Sequence, residues 1–174
     1  MEAVPGVAII GTIAAGKTTI AEALSELLHG RGMRHALIDV DWLGQVYPPP
    51  EPQRPYSLDL AFTNLEATTP NFIAAGAEYF VIAVTLTCAE ELDALRRAVS
   101  PVELSVCLLD VSPEVIAQRI TARNRGSLRA DFLSRTDALA EQIRQSGIAD
   151  LRVANDRRPP AEVAEDALGR LRWQ

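Results

Sequence analysis

Residues Gly11-Thr12-Ile13-Ala14-Ala15-Gly16-Lys17-Thr18 constrain this chain more than any other stretch. Two glycines with four residues between them, followed by Lys and Thr, match the pattern GxxxxGK[ST]. At ordinary residue frequencies such a match arises by chance in about 0.5% of chains of this size. Its context is also right. Val4–Ile10 before it is an apolar, β-branched run that reads as a buried strand. After it, Ile20, Ala23, Leu24, Leu27 and Leu28 recur at the spacing of one helix face. Gly11 and Gly16 permit backbone angles that a side chain would forbid. The loop can therefore wrap its N–H groups around an anion at the positive end of the following helix. The stretch reads as a loop that cradles phosphates. The backbone of Gly11, Thr12, Ala14, Ala15 and Gly16 is expected to bind the phosphates of ATP, with Lys17 reaching the β- and γ-phosphates. The Thr18 hydroxyl is expected on Mg²⁺, and Thr19 is a weaker candidate for the α-phosphate. Lys17 is the single lysine in a chain that otherwise uses arginine.

Further strands are expected at Ala36–Val40, Tyr79–Leu86, Leu104–Val111 and Leu151–Ala154. Helices are expected at Ser57–Ala75 with a break or kink near Pro70, at Glu90–Val99, from Pro113 to about Arg123, at Ala130–Ser146 and at Pro159–Arg172. Ser112-Pro113-Glu114 is a clear helix start, with a capping hydroxyl, a first-position proline and an acid in the first turn. Strands alternating with helices imply a parallel α/β sheet covered on both faces. The 174 residues suit one domain spanning 1–174, with no linker or internal repeat.

Asp39-Val40-Asp41 closes the second strand. Ligands of such sheets bind beyond the carboxyl ends of the strands, and alternate strand residues share a face. Both carboxylates can then point to one site. Asp39 is expected to support Mg²⁺ through water, and Asp41 to orient or deprotonate an acceptor hydroxyl. The third strand carries no acid at its end, so metal support falls to Thr18 and Asp39.

At these residues a resemblance becomes specific. The loop GTIAAGKTT, the acids IDVD, Asn64-Leu65 and the run from Ala74 to Ile82 resemble the adenylyl-sulfate kinase branch of small P-loop kinases. That group also includes gluconate, shikimate and chloramphenicol phosphotransferases. The resemblance implies a five-stranded parallel sheet of order 2-3-1-4-5 and an arginine-bearing lid. Adenylyl-sulfate kinases carry a substrate-binding Arg three residues before the helix Asn. Here Ala61 stands at that position, so adenylyl sulfate itself is not the expected acceptor.

Arg119 and Arg123 lie four apart on one helix face, and Arg125, Arg129 and Arg135 follow around Gly126. In the related kinases the lid lies here, so Arg119 and Arg123 are expected to serve phosphate charge. A solvated helix face is the competing reading. Asn155-Asp156-Arg157-Arg158 corresponds to the turn that borders the adenine, where Arg157 is a candidate to stack on the base. The proline-rich stretch Pro48–Pro55, with Tyr47, Arg54 and Tyr56, is expected to shape the acceptor pocket. His29 and His35 flank the far end of the first helix and are not expected in catalysis.

The net charge of -6 shows no basic face of the kind nucleic-acid binders carry. Cys88 and Cys107 have no metal-ligand spacing, and Cys107 reads as a buried thiol. No apolar run approaches about 20 residues, so the chain is expected in the cytoplasm without a membrane partner. The reading is an ATP- and Mg²⁺-dependent phosphotransferase acting on a hydroxyl of a small-molecule acceptor, with a homodimer left open. A nucleotide-binding regulatory module and a slow ATP hydrolase remain as alternatives. No NKxD-type motif for guanine is seen, which favours ATP.

Overall fold

The computed structural model describes residues 3–49, 56–123, 129–171 and 173, without side chains for 123–135. The strands are β1 (Val4–Ile10), β2 (His35–Asp39), β3 (Tyr79–Ala83), β4 (Val102–Asp110) and β5 (Leu151–Ala154). The helices are α1 (Lys17–Gly30), α2 (Leu58–Ala74), α3 (Ala89–Ala98), α4 (Pro113–Arg123), α5 (Arg129–Ser146) and α6 (Pro160–Leu171). A 3-10 turn, Val40–Gly44, follows β2. The strands form one parallel sheet of order β2-β3-β1-β4-β5, as the resemblance implied.

Side-chain alternation along the strands explains why both faces are covered. Val7, Ile9, Val81, Cys107 and Leu109 pack on one face with Leu24 and Leu28 of α1 and Val163, Ala167 and Leu168 of α6. Ala8, Ile10, Phe80, Ile82, Val106 and Leu108 pack on the other with Phe62 and Leu65 of α2 and Leu92 and Leu95 of α3. Cys107 is fully buried in the first of these layers. Burial pushes its thiol up to about 12, so it stays protonated and unreactive.

Three expectations need correction. The second strand stops at Asp39 rather than Val40, because the chain turns there into the 3-10 segment. The third strand stops at Ala83, level with Asp39 on its neighbour, because β2 supplies no further partner. Of the break or kink expected near Pro70, the break does not occur. The helix continues to Ala74, with Pro70 in its last turns, where a missing N–H costs one bond. The capping hydroxyl expected at Ser112 is found at another helix. Ser57 caps α2 by accepting from the Leu60 N–H at 3.2 Å. The Ser112 hydroxyl instead donates to Asp156 Oδ1, which also accepts the Ser112 N–H. The start of α4 is thereby pinned to the turn after β5.

Candidate functional site

The loop between β1 and α1 lies at the carboxyl end of the sheet. Gly16 precedes α1 at φ 96, a left-handed conformation that glycine adopts without cost. There is no room for a side chain either. A Cβ on Gly16 would lie 2.9 Å from Asn155 Nδ2, and one on Gly11 would lie 2.9 Å from the Ala15 Cβ. Ala14 holds φ 61 without being glycine, a conformation that costs of order 1 kcal/mol or more unless its surroundings impose it.

Ile13, Ala14, Gly16, Lys17, Thr18, Thr19, Asp41 and Thr85 line a polar cleft of about 200 Å³ above this loop. The sequence-derived residues Lys17, Thr18, Thr19 and Asp41 therefore meet in one place. The Lys17 ammonium donates to the Thr12 carbonyl at 3.2 Å. The Thr18 hydroxyl donates to Asp39 Oδ2 at 2.6 Å, so the two groups assigned to Mg²⁺ are already paired.

Asp41 reaches the cleft by a different route from the one expected. It does not share a strand face with Asp39, because it sits in the 3-10 turn. That turn is fixed from three sides. Asp39 Oδ1 accepts the Asp41 N–H at 3.0 Å. Asn64 of α2 donates to the Leu43 carbonyl at 2.8 Å. Gly44 lies so close to Tyr56 that a Cβ there would stand 2.5 Å from the ring and 2.6 Å from the Ser57 carbonyl. Asn64 and Tyr56 thus support the residue that faces the cleft. The sequence pointed to both without showing what they hold.

The Asp41 carboxyl is pushed above its ordinary value of 3.8. Loss of surrounding water is the main cause, Lys17 opposes it, and Asp39 adds to it. Tyr56 is also pushed up, first by burial and then by Asp41, Asp39 and Glu91, so its phenol stays neutral. An acid whose pKa rises on folding costs stability once ionised. The cost is absent below its unfolded-state pKa, grows between that value and its folded-state pKa, and is complete above the latter. Asp41→Asn should therefore raise the melting temperature at about pH 7. The gain should vanish once the pH is well below the ordinary aspartate pKa of about 3.9, where aspartic acid and asparagine carry the same charge. Melting curves of both proteins across this range check it. A gain that persists at low pH would assign the effect to something other than the charge.

Behind the loop, Arg119 of α4 donates through Nη1 to the carbonyls of Ala14 at 3.3 Å and Ala15 at 3.0 Å. Its Nη2 donates to the Asn155 carbonyl at 2.8 Å. Asn155, 3% exposed, donates through Nδ2 to the Ala15 carbonyl at 2.8 Å. The buried Thr12 hydroxyl donates to the Thr136 carbonyl of α5 at 3.2 Å. Arg119 is thus engaged with the loop's backbone and is not among the residues lining the cleft. The Arg123 side chain lies outside the described residues, as do the side chains of Arg129 and Arg135 and the whole of Arg125 and Arg54. Arg157 is exposed at φ 52 in the turn after β5. A larger cavity of about 440 Å³ lies at the opposite end of the sheet, lined by His29, Arg34, His35 and Phe72 among others. It contains none of the residues assigned to phosphate or acceptor.

Comparison with known proteins agrees with this geometry. A family model described as an AAA domain matches residues 7–147, most of the chain, and the protein belongs to that family. No curated protein matches. Among solved structures, a gluconokinase from Sinorhizobium meliloti 1021 is similar at 24% identity and TM-score 0.62. The match covers 98% of this chain and 93% of that one. The APS kinase of Mycobacterium tuberculosis, solved with AMPPNP and APS, is similar at 16% identity and TM-score 0.60, with coverage of 98% and 99%. The tunicamycin resistance protein of Deinococcus radiodurans is similar at 14% identity and TM-score 0.66, with coverage of 98% and 97%. The fold is that of the small P-loop kinases.

Proposed function

We propose that this protein transfers the γ-phosphate of ATP to a hydroxyl of a small molecule. The observation that carries the proposal is the placement of Asp41 and Lys17 in one cleft, beside the paired Thr18 and Asp39. A module that only bound nucleotide would have no use for a carboxylate supported above the phosphate loop by α2 and Tyr56. A cleft of about 200 Å³ is smaller than the roughly 300–1,000 Å³ typical of ligand pockets. It suits the phosphate groups, with the nucleoside and the acceptor extending to either side.

In this reading the loop amides and Lys17 hold the β- and γ-phosphates, and Arg157 borders the base. Arg119 holds the loop from behind through the carbonyls of Ala14 and Ala15, and Arg123 is the candidate for added positive charge at the phosphates. Thr18 and Asp39 fit Mg²⁺ through one hydroxyl and one carboxylate, because this ion keeps several waters and shares phosphate oxygens. Among the described residues no group of three or more acids, cysteines or histidines offers a closed metal cage. When bound, Mg²⁺ would neutralise charge on the transferring phosphate. Asp41 orients the acceptor hydroxyl and takes its proton as the new O–P bond forms. The bond from the γ-phosphorus to the bridging oxygen breaks, and ADP leaves with that oxygen. Only the carboxylate form of Asp41 can do this, so transfer should fall as pH drops through its raised pKa.

The acceptor side is shaped by the 3-10 turn and Tyr56. Trp42 and Tyr47 are 75% and 72% exposed there, which suits an acceptor with an apolar or planar face. Acceptors should be sought by incubating the protein with ATP, Mg²⁺ and pooled hydroxyl-bearing metabolites, nucleosides and antibiotics, read by mass spectrometry. The proposal expects one chemical class to gain the mass of a phosphoryl group. ATP binding with no product in any class would favour the regulatory module.

A further inference from the structure

Arg119 and Asn155 converge on the carbonyl of Ala15 from two different elements, α4 and the turn after β5. A peptide unit is planar and trans, so its C=O and N–H point in opposite directions. The carbonyl of Ala15 shares its peptide plane with the N–H of Gly16. Pinning the one behind the loop therefore aims the other away from Arg119 and Asn155. Gly16 lines the cleft, and a Cβ on it would project back towards Asn155 Nδ2 and Arg119 Nη1. Arg119 also holds the carbonyl of Ala14, the loop residue kept at φ 61 without glycine's freedom. The strained residue has its own carbonyl held by Arg119, and the next carbonyl is held by both donors.

We propose that Arg119 and Asn155 are positioning residues that preform the phosphate loop by clamping its outward carbonyls. They act through the Gly16 amide rather than by touching the transferred phosphate. A cation on the carbonyl side also polarises that peptide and makes its N–H a better donor to an anion. The arrangement reassigns Arg119 from neutralising phosphate charge to organising the loop. It gives Asn155 a role that its position in a strand-to-helix turn did not suggest. It also joins α4 to the phosphate site through two hydrogen bonds. The inference rests on the reading of Gly11–Thr18 as a phosphate loop, and its test separates the two.

Four variants suffice: Asn155→Ala, Arg119→Ala, the two combined, and Arg119→Lys. The last keeps the charge but loses the planar fork that spans two carbonyls, and it serves if either truncation fails to fold. The probes are inorganic pyrophosphate, which meets only the loop, and adenosine, which meets only the base side. Calorimetry should show pyrophosphate affinity falling about ten-fold or more in each truncation, with a smaller fall for Arg119→Lys and adenosine affinity unchanged. Hydrogen exchange on the free proteins should show faster exchange at Gly16 in the variants, with the amides of β1 unaffected. The two truncations should be less than additive, because both release the same carbonyl. Unchanged pyrophosphate affinity in both truncations would overturn the clamp. So would loss of adenosine affinity alone, which would make Arg119 a base-contacting residue. If the wild type bound no pyrophosphate, the phosphate-loop reading would fall. Gly16 exchange in the free proteins would still report whether the clamp holds the loop.

Discussion

Lys17→Ala should lower phosphate transfer by about two to three orders of magnitude, the range seen when one preorganised charge-stabilising donor is removed. Nucleotide affinity should fall as well, because Lys17 faces ground-state phosphate and not only the transition state. The ammonium is already fixed at the loop by its bond to the Thr12 carbonyl, so little entropy is spent in aiming it. A second signature follows from its neighbour. Lys17 is the group that holds the Asp41 carboxyl down against desolvation and against Asp39. Without it the Asp41 pKa should climb further, and the acid limb of any residual transfer should move to higher pH. Calorimetry with ATP and Mg²⁺, with a pH profile of transfer, reads both effects. Full affinity in the variant would remove Lys17 from the phosphate site.

The parts of this molecule legible in the sequence are those whose cause is local. Gly11 and Gly16 are dictated by the backbone of the loop itself, and the strand before and the helix after follow from short apolar patterns. The sheet order was reached through the family resemblance rather than from periodicity, since a strand's own residues do not say which neighbour it takes. The errors at Val40, Leu86 and Pro70 share a physical reason. A strand's end depends on where its partner stops, and a helix's tolerance of proline depends on how little helix follows it. Val84 and Leu86 are fully buried yet lie beyond the end of β3, and only Val84 still donates to β1, through the Ile9 carbonyl, so an apolar run outlasts the strand it starts in.

At the site, Asp39 and Asp41 were legible as types and as a place, but the geometry joining them was not. A period of two put both on one strand face, whereas the structure uses a 3-10 turn held by Asn64 and Tyr56. Asn155, Asp156 and Thr136 carried no signal for their actual contacts. Asn155 meets Ala15 across 140 residues, and Thr12 meets Thr136 across 124. Such contacts arise only after the sheet has brought β5 beside β4 and α5 over the loop. Arg119 was picked out by its spacing from Arg123 and by the lid it precedes. Spacing on a helix face does not distinguish an arginine that meets phosphate from one that meets the loop's own carbonyls.

In the proposed reaction one cleft joins a phosphate loop to a base for an acceptor hydroxyl. Asp41→Asn separates the two halves. Asparagine keeps the size of the side chain and its ability to lie in the 3-10 turn, but it cannot take a proton. The proposed nucleotide contacts are the loop amides, Lys17 and Thr18, so ATP affinity should stay within a few fold of wild type. Transfer to the acceptor should fall by about 10²–10⁴-fold, the usual contribution of a positioned acid–base group. Any residual rate should lose its dependence on the Asp41 titration. The measurement is single-turnover transfer of the γ-phosphate by wild type and variant at saturating ATP, with ATP affinity taken on the same preparations. A large loss of transfer at nearly constant affinity is the result predicted here, and equal transfer rates in the two proteins would contradict it.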